Sequence, residues 1–174
     1  MPQRSYSIRR AFLIPLGVDA FLLFVLLLIS LLLKGETTEK LVFTIFFLPT
    51  LVLFCESLYR RVVVTDEGIV VRKLGRSRAV AWGEITHVGS LTIHKKVYIL
   101  LTTVKGFFIV SNAYEQFSAL VEEMVTHVDE EKVEEEVRLL TGGSLAGIAN
   151  VVSAWVAAAF MVGIILMKLI PLVG

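Results

Sequence analysis

Apolar residues concentrate towards both ends of the chain, and polar residues concentrate in its middle. Three long apolar runs stand out, at residues 11–33, 41–58 and 145–167. The first and third contain 23 residues each and the second contains 18. A 23-residue helix measures ~34 Å, enough to cross the ~30 Å hydrocarbon core of a bilayer, and about 18 residues is near the shortest length that does so. We therefore predict three transmembrane helices, the first two joined as a hairpin by the short polar segment between them.

The middle of the chain has a different periodicity. Short runs rich in β-branched and aromatic residues alternate with Gly, Asp and Ser positions typical of turns. The predicted strands are 61–65, 69–73, 78–82, 85–88, 91–94, 97–103 and 107–111. Seven short strands in about 50 residues are typical of a small β-barrel or sandwich.

A helix is expected after the last strand. Asn112 is a good N-cap residue, and Glu115 follows three positions later, which is the spacing of a capping box. Apolar residues then recur at helical spacing, at Phe117, Leu120, Val121, Met124 and Val128. An acidic run, residues 129–136, follows this helix.

The distribution of charge supports the same division. Of the 33 Lys, Arg, Asp and Glu residues, 23 fall within residues 60–138. We predict an N-terminal arm and transmembrane hairpin in residues 1–58, a polar domain in 59–140 and a third transmembrane helix in 141–174. A net charge of +1 argues against a nucleic-acid partner.

The positions of the arginines predict the orientation. Arg4, Arg9 and Arg10 precede the first apolar run, and Arg60 and Arg61 follow the second. Basic residues flanking membrane spans stay preferentially on the cytoplasmic side. The N-terminus and the polar domain are therefore expected in the cytoplasm, and the C-terminus on the other side.

Two segments of the polar domain carry a family resemblance. Residues 59–71 read YRRVVVTDEGIVV, and residues 78–88 read RAVAWGEITHV, with a Trp-x-x-Ile pattern after a basic strand. Together with the closing helix, they resemble the bacterial pleckstrin-homology-like domains found in small membrane proteins. The resemblance implies a strongly bent seven-stranded sheet capped by a C-terminal helix and no catalytic residues. Together with the three predicted spans, it leads us to expect a multi-pass protein of the cell inner membrane.

Sequence motifs of enzymes are not found. There is no Gly-rich phosphate loop, no nucleophile elbow and no HExxH pattern. The histidines, His87, His94 and His127, lie on different predicted elements and lack metal-ligand spacing, and Cys55 is the single cysteine. We predict a non-enzymatic protein with no cofactor and no bound metal.

A basic hairpin is the first candidate site. Arg72, Lys73, Arg76 and Arg78 cluster around one predicted turn. Such a hairpin near an anionic leaflet would gain ~1 kcal/mol per basic residue, which favours contact with lipid or another anion. The alternative is a solvated basic edge that prevents strand aggregation and has no ligand.

An acidic residue inside the first apolar run is the second candidate. By helical rise, Asp19 lies ~12 Å along the first run and Asn150 ~8 Å along the third, so the two could form a polar pair inside the membrane. Alternatively, the first span starts later, near Leu16, and Asp19 lies at the interface.

Three functions are compatible with these features. The first is a membrane-anchored interaction or scaffold module, whose polar domain binds a copy of itself or a membrane protein partner. The second is a small transporter or channel component, with Asp19 and Lys168 in the conduction path. The third is a sensor of anionic membrane lipid that acts through the basic hairpin.

Overall fold

The computed structural model describes residues 4–33, 35–93, 96–140 and 148–173, with 148–150 and 171–173 described in their backbone only. The chain divides into two compact units. One contains Met1–Arg9 and Tyr59–Gly147 and is called the β domain; the other contains Arg10–Leu58 and Ile148–Gly174 and is called the helical unit. The elements described, in chain order, are β1 (Arg4–Ser7), α1 (Arg10–Leu32), α2 (Thr37–Tyr59), β2 (Arg61–Val64), β3 (Gly68–Lys73), β4 (Arg76–Ala81), β5 (Ile85–Ile93), β6 (Lys96–Thr103), β7 (Gly106–Ser111), α3 (Phe117–Thr126), α4 (Glu135–Leu139) and α5 (Ile148–Val173).

Three helices of the helical unit are long and apolar enough to cross a membrane. They are α1, α2 and the Val151–Ile170 part of α5. The prediction of three apolar helices is confirmed. Two of them extend beyond the apolar runs, since α2 has 23 residues where 18 were predicted and α5 continues past Met167 to Val173. The added residues of α2 include the polar 37–40, which continue the helix without adding to the apolar pattern, whereas α5 continues through Lys168 into a further short apolar stretch.

Close contacts join the helices of this unit. A Cβ at Gly17 of α1 would lie 2.8 Å from the ring of Phe54, so the absence of a side chain lets α2 approach at this level. Phe24 lies seven residues after Gly17 and Phe47 seven residues before Phe54, about two turns in each helix, and their rings lie 5.6 Å apart. Because the contacts advance along α1 while they go back along α2, the two helices form an antiparallel hairpin.

The β domain contains two antiparallel sheets. The strand orders are β1-β2-β3-β4 and β5-β6-β7. The prediction of a β-rich domain of short strands followed by a helix is confirmed, but residues 61–111 form six strands where seven were predicted, and the seventh strand of the domain is β1. Of the two architectures that the sequence left open, the described strands form two sheets and no closed barrel.

The first strand comes from the N-terminal arm, for which no strand was predicted. β1 pairs with β2, with Arg4 opposite Val64 and Ser7 opposite Arg61. The hairpin of α1 and α2 therefore lies in the connection between two neighbouring strands. Because these strands are hydrogen-bonded to each other, the N-terminal arm and the β domain must lie on the same side of any membrane that the hairpin spans.

The prediction that residues 85–88 and 91–94 form two separate strands was wrong. The structure has one strand, β5, in which Gly89 pairs with Leu100 and Ser90 with Ile99. A Gly-Ser dipeptide resembles a turn in sequence, but here both residues continue the ladder. The irregular step in β5 lies earlier, between Ile85 and His87.

The closing helix begins later than predicted. α3 starts after Gln116, whose φ of 50° is left-handed, and no side-chain cap is formed. Asn112 is 5% exposed, and its backbone N–H donates to the Val97 carbonyl oxygen at 2.9 Å. The predicted capping box is therefore wrong. The apolar stripe is confirmed, because all five of its residues are buried: Phe117, Leu120, Val121, Met124 and Val128.

Candidate functional site

A cleft of about 540 Å³ lies in the β domain, and we call it the basic cleft. Its cations come from β3, from β4 and from the residue that follows α2, and its apolar wall comes from β7. The lining residues are Arg60, Val71, Lys73, Arg76, Arg78, Phe107, Phe108 and Ile109. Four of these eight are cationic and none is a carboxylate, so the cleft favours an anion.

The register of β3 and β4 places the cations on one face. Lys73 lies opposite Arg76, and Val71 lies opposite Arg78. Side chains alternate between the two faces of a strand, so these four residues share a face. Arg72 lies between Val71 and Lys73, on the opposite face, and is not part of the cleft lining.

A two-residue turn holds the two strands together at this end. Leu74 and Gly75 connect Lys73 to Arg76, and Gly75 has a φ of +68°. Glycine adopts this positive φ without steric cost. The turn therefore brings two basic side chains into direct cross-strand opposition.

The charges in the cleft are largely unneutralised. Lys73, Arg76 and Arg78 are exposed, and within the described part of the chain none of them forms an ion pair. The Arg78 guanidinium lies 5.7 Å from the centroid of the Phe108 ring, a cation–π distance. Arg60 donates from Nε to the Tyr114 hydroxyl at 3.0 Å. Like charges placed side by side destabilise a sheet, and a bound anion relieves this repulsion.

The wall opposite these cations is apolar and open to solvent. Phe107 is 63% exposed and Ile109 is 44% exposed. Exposed apolar side chains beside a charged cleft suit a ligand that has both an anionic and an apolar part.

The structure brings together three of the four residues predicted for the basic hairpin. Lys73, Arg76 and Arg78 share the cleft, whereas Arg72 faces away from it. The sequence analysis used Arg60 only for orientation and missed the apolar wall. Strand alternation on either side of the Leu74-Gly75 turn was the signal that would have separated Arg72 from the other three.

A second cleft, of about 560 Å³, lies in the helical unit, and we call it the helical cleft. Residues of α1, α2 and α5 line it: Leu16, Asp19, Leu23, Phe46, Thr50, Ser153, Val156, Ala157, Phe160 and Met161. Asp19 is 8% exposed, and its Oδ1 has no hydrogen-bond partner within the part of the chain that the structure describes. The side chain of Asn150 lies outside the described residues, so its pairing with Asp19 stays a prediction.

The acidic run after α3 is attached to β5 through Glu134. Its backbone N–H donates to the Val88 carbonyl oxygen at 3.0 Å. Its Oε1 lies 2.9 Å from His87 Nε2, and its Oε2 accepts from the Ser90 backbone N–H at 3.1 Å. The hydrogen bond with His87, followed by that from Ser90, lowers the pKa of Glu134 below its usual value.

The histidines are separate from one another. His127 stacks on Trp82, with ring centroids 4.8 Å apart, and its Nδ1 donates to the Glu123 carbonyl oxygen at 2.8 Å. His87 contacts Glu134, and His94 lies outside the described residues. Within the described ranges, no group of three His, Cys, Asp or Glu side chains is placed to hold a metal ion.

Comparison with known proteins does not assign the chain to a family. No protein-family model, no curated protein and no solved structure matches it. The two clefts are therefore the features from which a function can be inferred.

Proposed function

We propose that the protein is a non-enzymatic, membrane-anchored binding module whose β domain binds an anionic lipid headgroup in the basic cleft. The composition of the cleft carries this proposal. Four cations and three apolar side chains of β7 line it, and no carboxylate is among its described lining residues. Guanidinium groups bind phosphate oxygens through paired hydrogen bonds, and the apolar wall suits the first part of an acyl chain.

The position of Arg60 in the chain favours a membrane ligand. Arg60 lines the cleft and directly follows Tyr59, the last residue of α2. Consecutive Cα atoms are 3.8 Å apart, so Arg60 itself is tied directly to the end of the apolar helix α2. Each basic residue near an anionic leaflet adds ~1 kcal/mol of attraction.

The acidic run of a second copy is the competing anion, and its binding would be the self-assembly that the sequence predicts. Three of its six acidic residues are already engaged within their own copy. Asp129 pairs with Lys132 at 2.6 Å, and Glu130 lies 3.7 Å from Arg138. Glu134 is held by His87. A lipid headgroup brings charge that is not engaged elsewhere, so we favour lipid over a second copy or a protein partner.

We further propose that the β domain is pleckstrin-homology-like and cytoplasmic, and that the protein resides in a bacterial inner membrane. Sheets of four and three strands, closed by α3, support the first part. The pairing of β1 with β2 puts the N-terminal arm and the β domain on one side, and the arginines around the hairpin favour the cytoplasm. Three spans would place the C-terminus on the opposite side.

Binding of a short-chain anionic lipid tests the proposal. The full-length protein in a neutral detergent is titrated with dioctanoyl phosphatidylglycerol, and dioctanoyl phosphatidylcholine serves as the uncharged comparison. Arg76→Gln and Arg72→Gln each remove one charge from the same hairpin, but only Arg76 lines the cleft. Loss of one headgroup contact should weaken binding about fivefold in the Arg76 variant, and the Arg72 variant should bind as wild type does.

Two results would refute the proposal. If both variants weaken binding equally, the attraction is a diffuse effect of net charge and the cleft is not the site. If wild type binds neither lipid at low salt, but Arg76→Gln shifts a dimer to monomer in light scattering, the cleft binds a second copy.

A further inference from the structure

The helical cleft contains a buried carboxylate oxygen that has no hydrogen-bond partner among the described residues. Asp19 lies in the middle of α1 and is 8% exposed, and this oxygen is its Oδ1. A carboxylate inside an apolar helix bundle is unfavourable unless a cation or a hydrogen-bond donor meets it. At the far end of α5, Lys168 is already paired with Glu39 of α2.

The remaining lining of this cleft is mainly apolar. Besides Asp19, only Thr50 and Ser153 carry side-chain oxygen among its described lining residues, and the rest are aliphatic, aromatic or thioether side chains. Ca²⁺ takes six to eight oxygen ligands and Mg²⁺ six, several of them waters, so one carboxylate and two hydroxyls in a mainly apolar lining suit either metal ion poorly. A ligand for this cleft needs one positive charge and a large apolar surface.

We infer that the helical cleft binds a lipophilic organic cation, with the charge at Asp19 and the apolar body against α2 and α5. The aromatic rings of Phe46 and Phe160 line the same cleft and offer cation–π contact. The volume of about 560 Å³ lies within the ~300–1,000 Å³ that small-molecule sites occupy. The site is independent of lipid binding by the β domain, because the residues of the two clefts belong to separate units.

Tetraphenylphosphonium is a suitable probe, because it carries one charge inside an apolar shell. Its binding to the full-length protein in nanodiscs of zwitterionic lipid is measured by equilibrium dialysis, with empty nanodiscs as background. Tetraphenylborate has the same shape and the opposite charge, and it should show no binding above background. Asp19→Asn should weaken tetraphenylphosphonium binding about tenfold or more, which is the loss expected for a buried charge contact.

Glu56→Gln is the matched control. Glu56 lies in α2, another candidate span, and does not line the helical cleft. This variant loses the same charge as Asp19→Asn and should bind the probe as wild type does. Asp19→Asn is nearly isosteric and removes no hydrogen bond from Oδ1, so the helices should still assemble.

A second variant tests the need for space in the cleft while the charge of Asp19 is kept. Ala157→Phe keeps Asp19 but fills space in the cleft, and it should also weaken binding at least about tenfold, because the ligand body is excluded. If Asp19→Asn does not assemble, binding to Ala157→Phe tests the inference by itself. Wild-type affinity in Ala157→Phe, or in an assembled Asp19→Asn, would overturn the inference, as would equal binding of the borate. Each of these results would mean that the probe partitions into lipid or the protein surface.

Discussion

Tyr6 gives the sharpest test of the fold, because it fixes the N-terminal arm to the β domain. Tyr6 is 5% exposed and lies opposite Val62 of β2. Its hydroxyl donates to Glu123 Oε2 of α3 at 2.6 Å. One side chain thus joins β1 both to the neighbouring strand and to the helix that closes the domain.

The size of the effect follows from these contacts. Tyr6→Phe keeps the ring and loses one hydrogen bond to a charged acceptor, which is worth ~1.5–3 kcal/mol. We expect about 1.5 kcal/mol, because Glu123 is only half-buried and water can replace the hydroxyl. Tyr6→Ala also removes the buried ring, for a further ~3–5 kcal/mol. Since whole domains are stable by ~5–15 kcal/mol, the alanine variant should release β1 or unfold the domain.

The pH dependence of this contact has a defined sign. Burial, and then the hydrogen bond to Glu123, raises the pKa of Tyr6 to about 12. The folded domain therefore favours the neutral phenol. The contribution of Tyr6 to stability is complete below pH 10, the ordinary tyrosine pKa, and is lost as the pH rises towards 12. Tyr6→Phe should abolish this alkaline loss.

Hydrogen exchange of the full-length protein measures the effect where it occurs. In Tyr6→Ala, the backbone amides of Arg61–Val64 should exchange much faster, because β2 loses its neighbour. Ser5→Ala is the control on the same strand, since Ser5 is exposed. A double-mutant cycle of Tyr6→Phe with Glu123→Gln should show coupling of about 1 kcal/mol. Wild-type protection of β2 in Tyr6→Ala would refute the assignment of β1.

Three further predictions concern the topology, the sheet and the acidic run. A reporter fused to the C-terminus should be exported and one fused to the N-terminus should stay cytoplasmic; the reverse would exclude the orientation. Gly68→Ala should lower the free energy of unfolding, measured by thermal unfolding, by about 2 kcal/mol or more, because a Cβ would lie 2.0 Å from the Val80 carbonyl oxygen. Gly83→Ala is the control, since its Cβ would meet nothing within 4 Å, and it should be nearly neutral. Glu134 stabilises the domain above about pH 4.5, and this contribution is lost as the pH falls through its lowered pKa. In Glu134→Gln, the free energy of unfolding should therefore depend less on pH in the acid range. An unchanged pH dependence would mean that the contact with His87 does not form.

Sequence patterns that extend over many residues predicted their elements correctly. The three apolar runs each cover many turns, so an interruption such as Pro49 does not hide them. The stripe that begins at Phe117 recurs at helical spacing, and its members up to Met124 form the buried face of α3, while Val128 lies just past the end of that helix. Such signals accumulate over length, and a single misleading residue does not overturn them.

Short or non-local features could not be predicted. β1 has four residues, too few for alternation to show, and its partner is far along the chain. Asn112 has the chemistry of a cap but is used in the turn after β7, because tertiary pairing with Val97 outweighs local preference. The basic cleft needs Arg60 beside residues of β4 and β7, and only the folded sheets bring these together.

The placement of the hairpin between β1 and β2 links membrane insertion to folding of the β domain. The 53 residues between Ser7 and Arg61 form one connection, and closing a flexible loop of that length costs on the order of 3–4 kcal/mol. In the helical unit, α1 and α2 have 23 residues each and pack antiparallel through Gly17 and Phe54. Because the two helices are antiparallel and of equal length, α2 ends at the same membrane surface at which α1 begins. An inserted hairpin therefore removes most of the closure cost before β1 and β2 pair, so the β domain should reach full stability only when the hairpin is assembled in a bilayer.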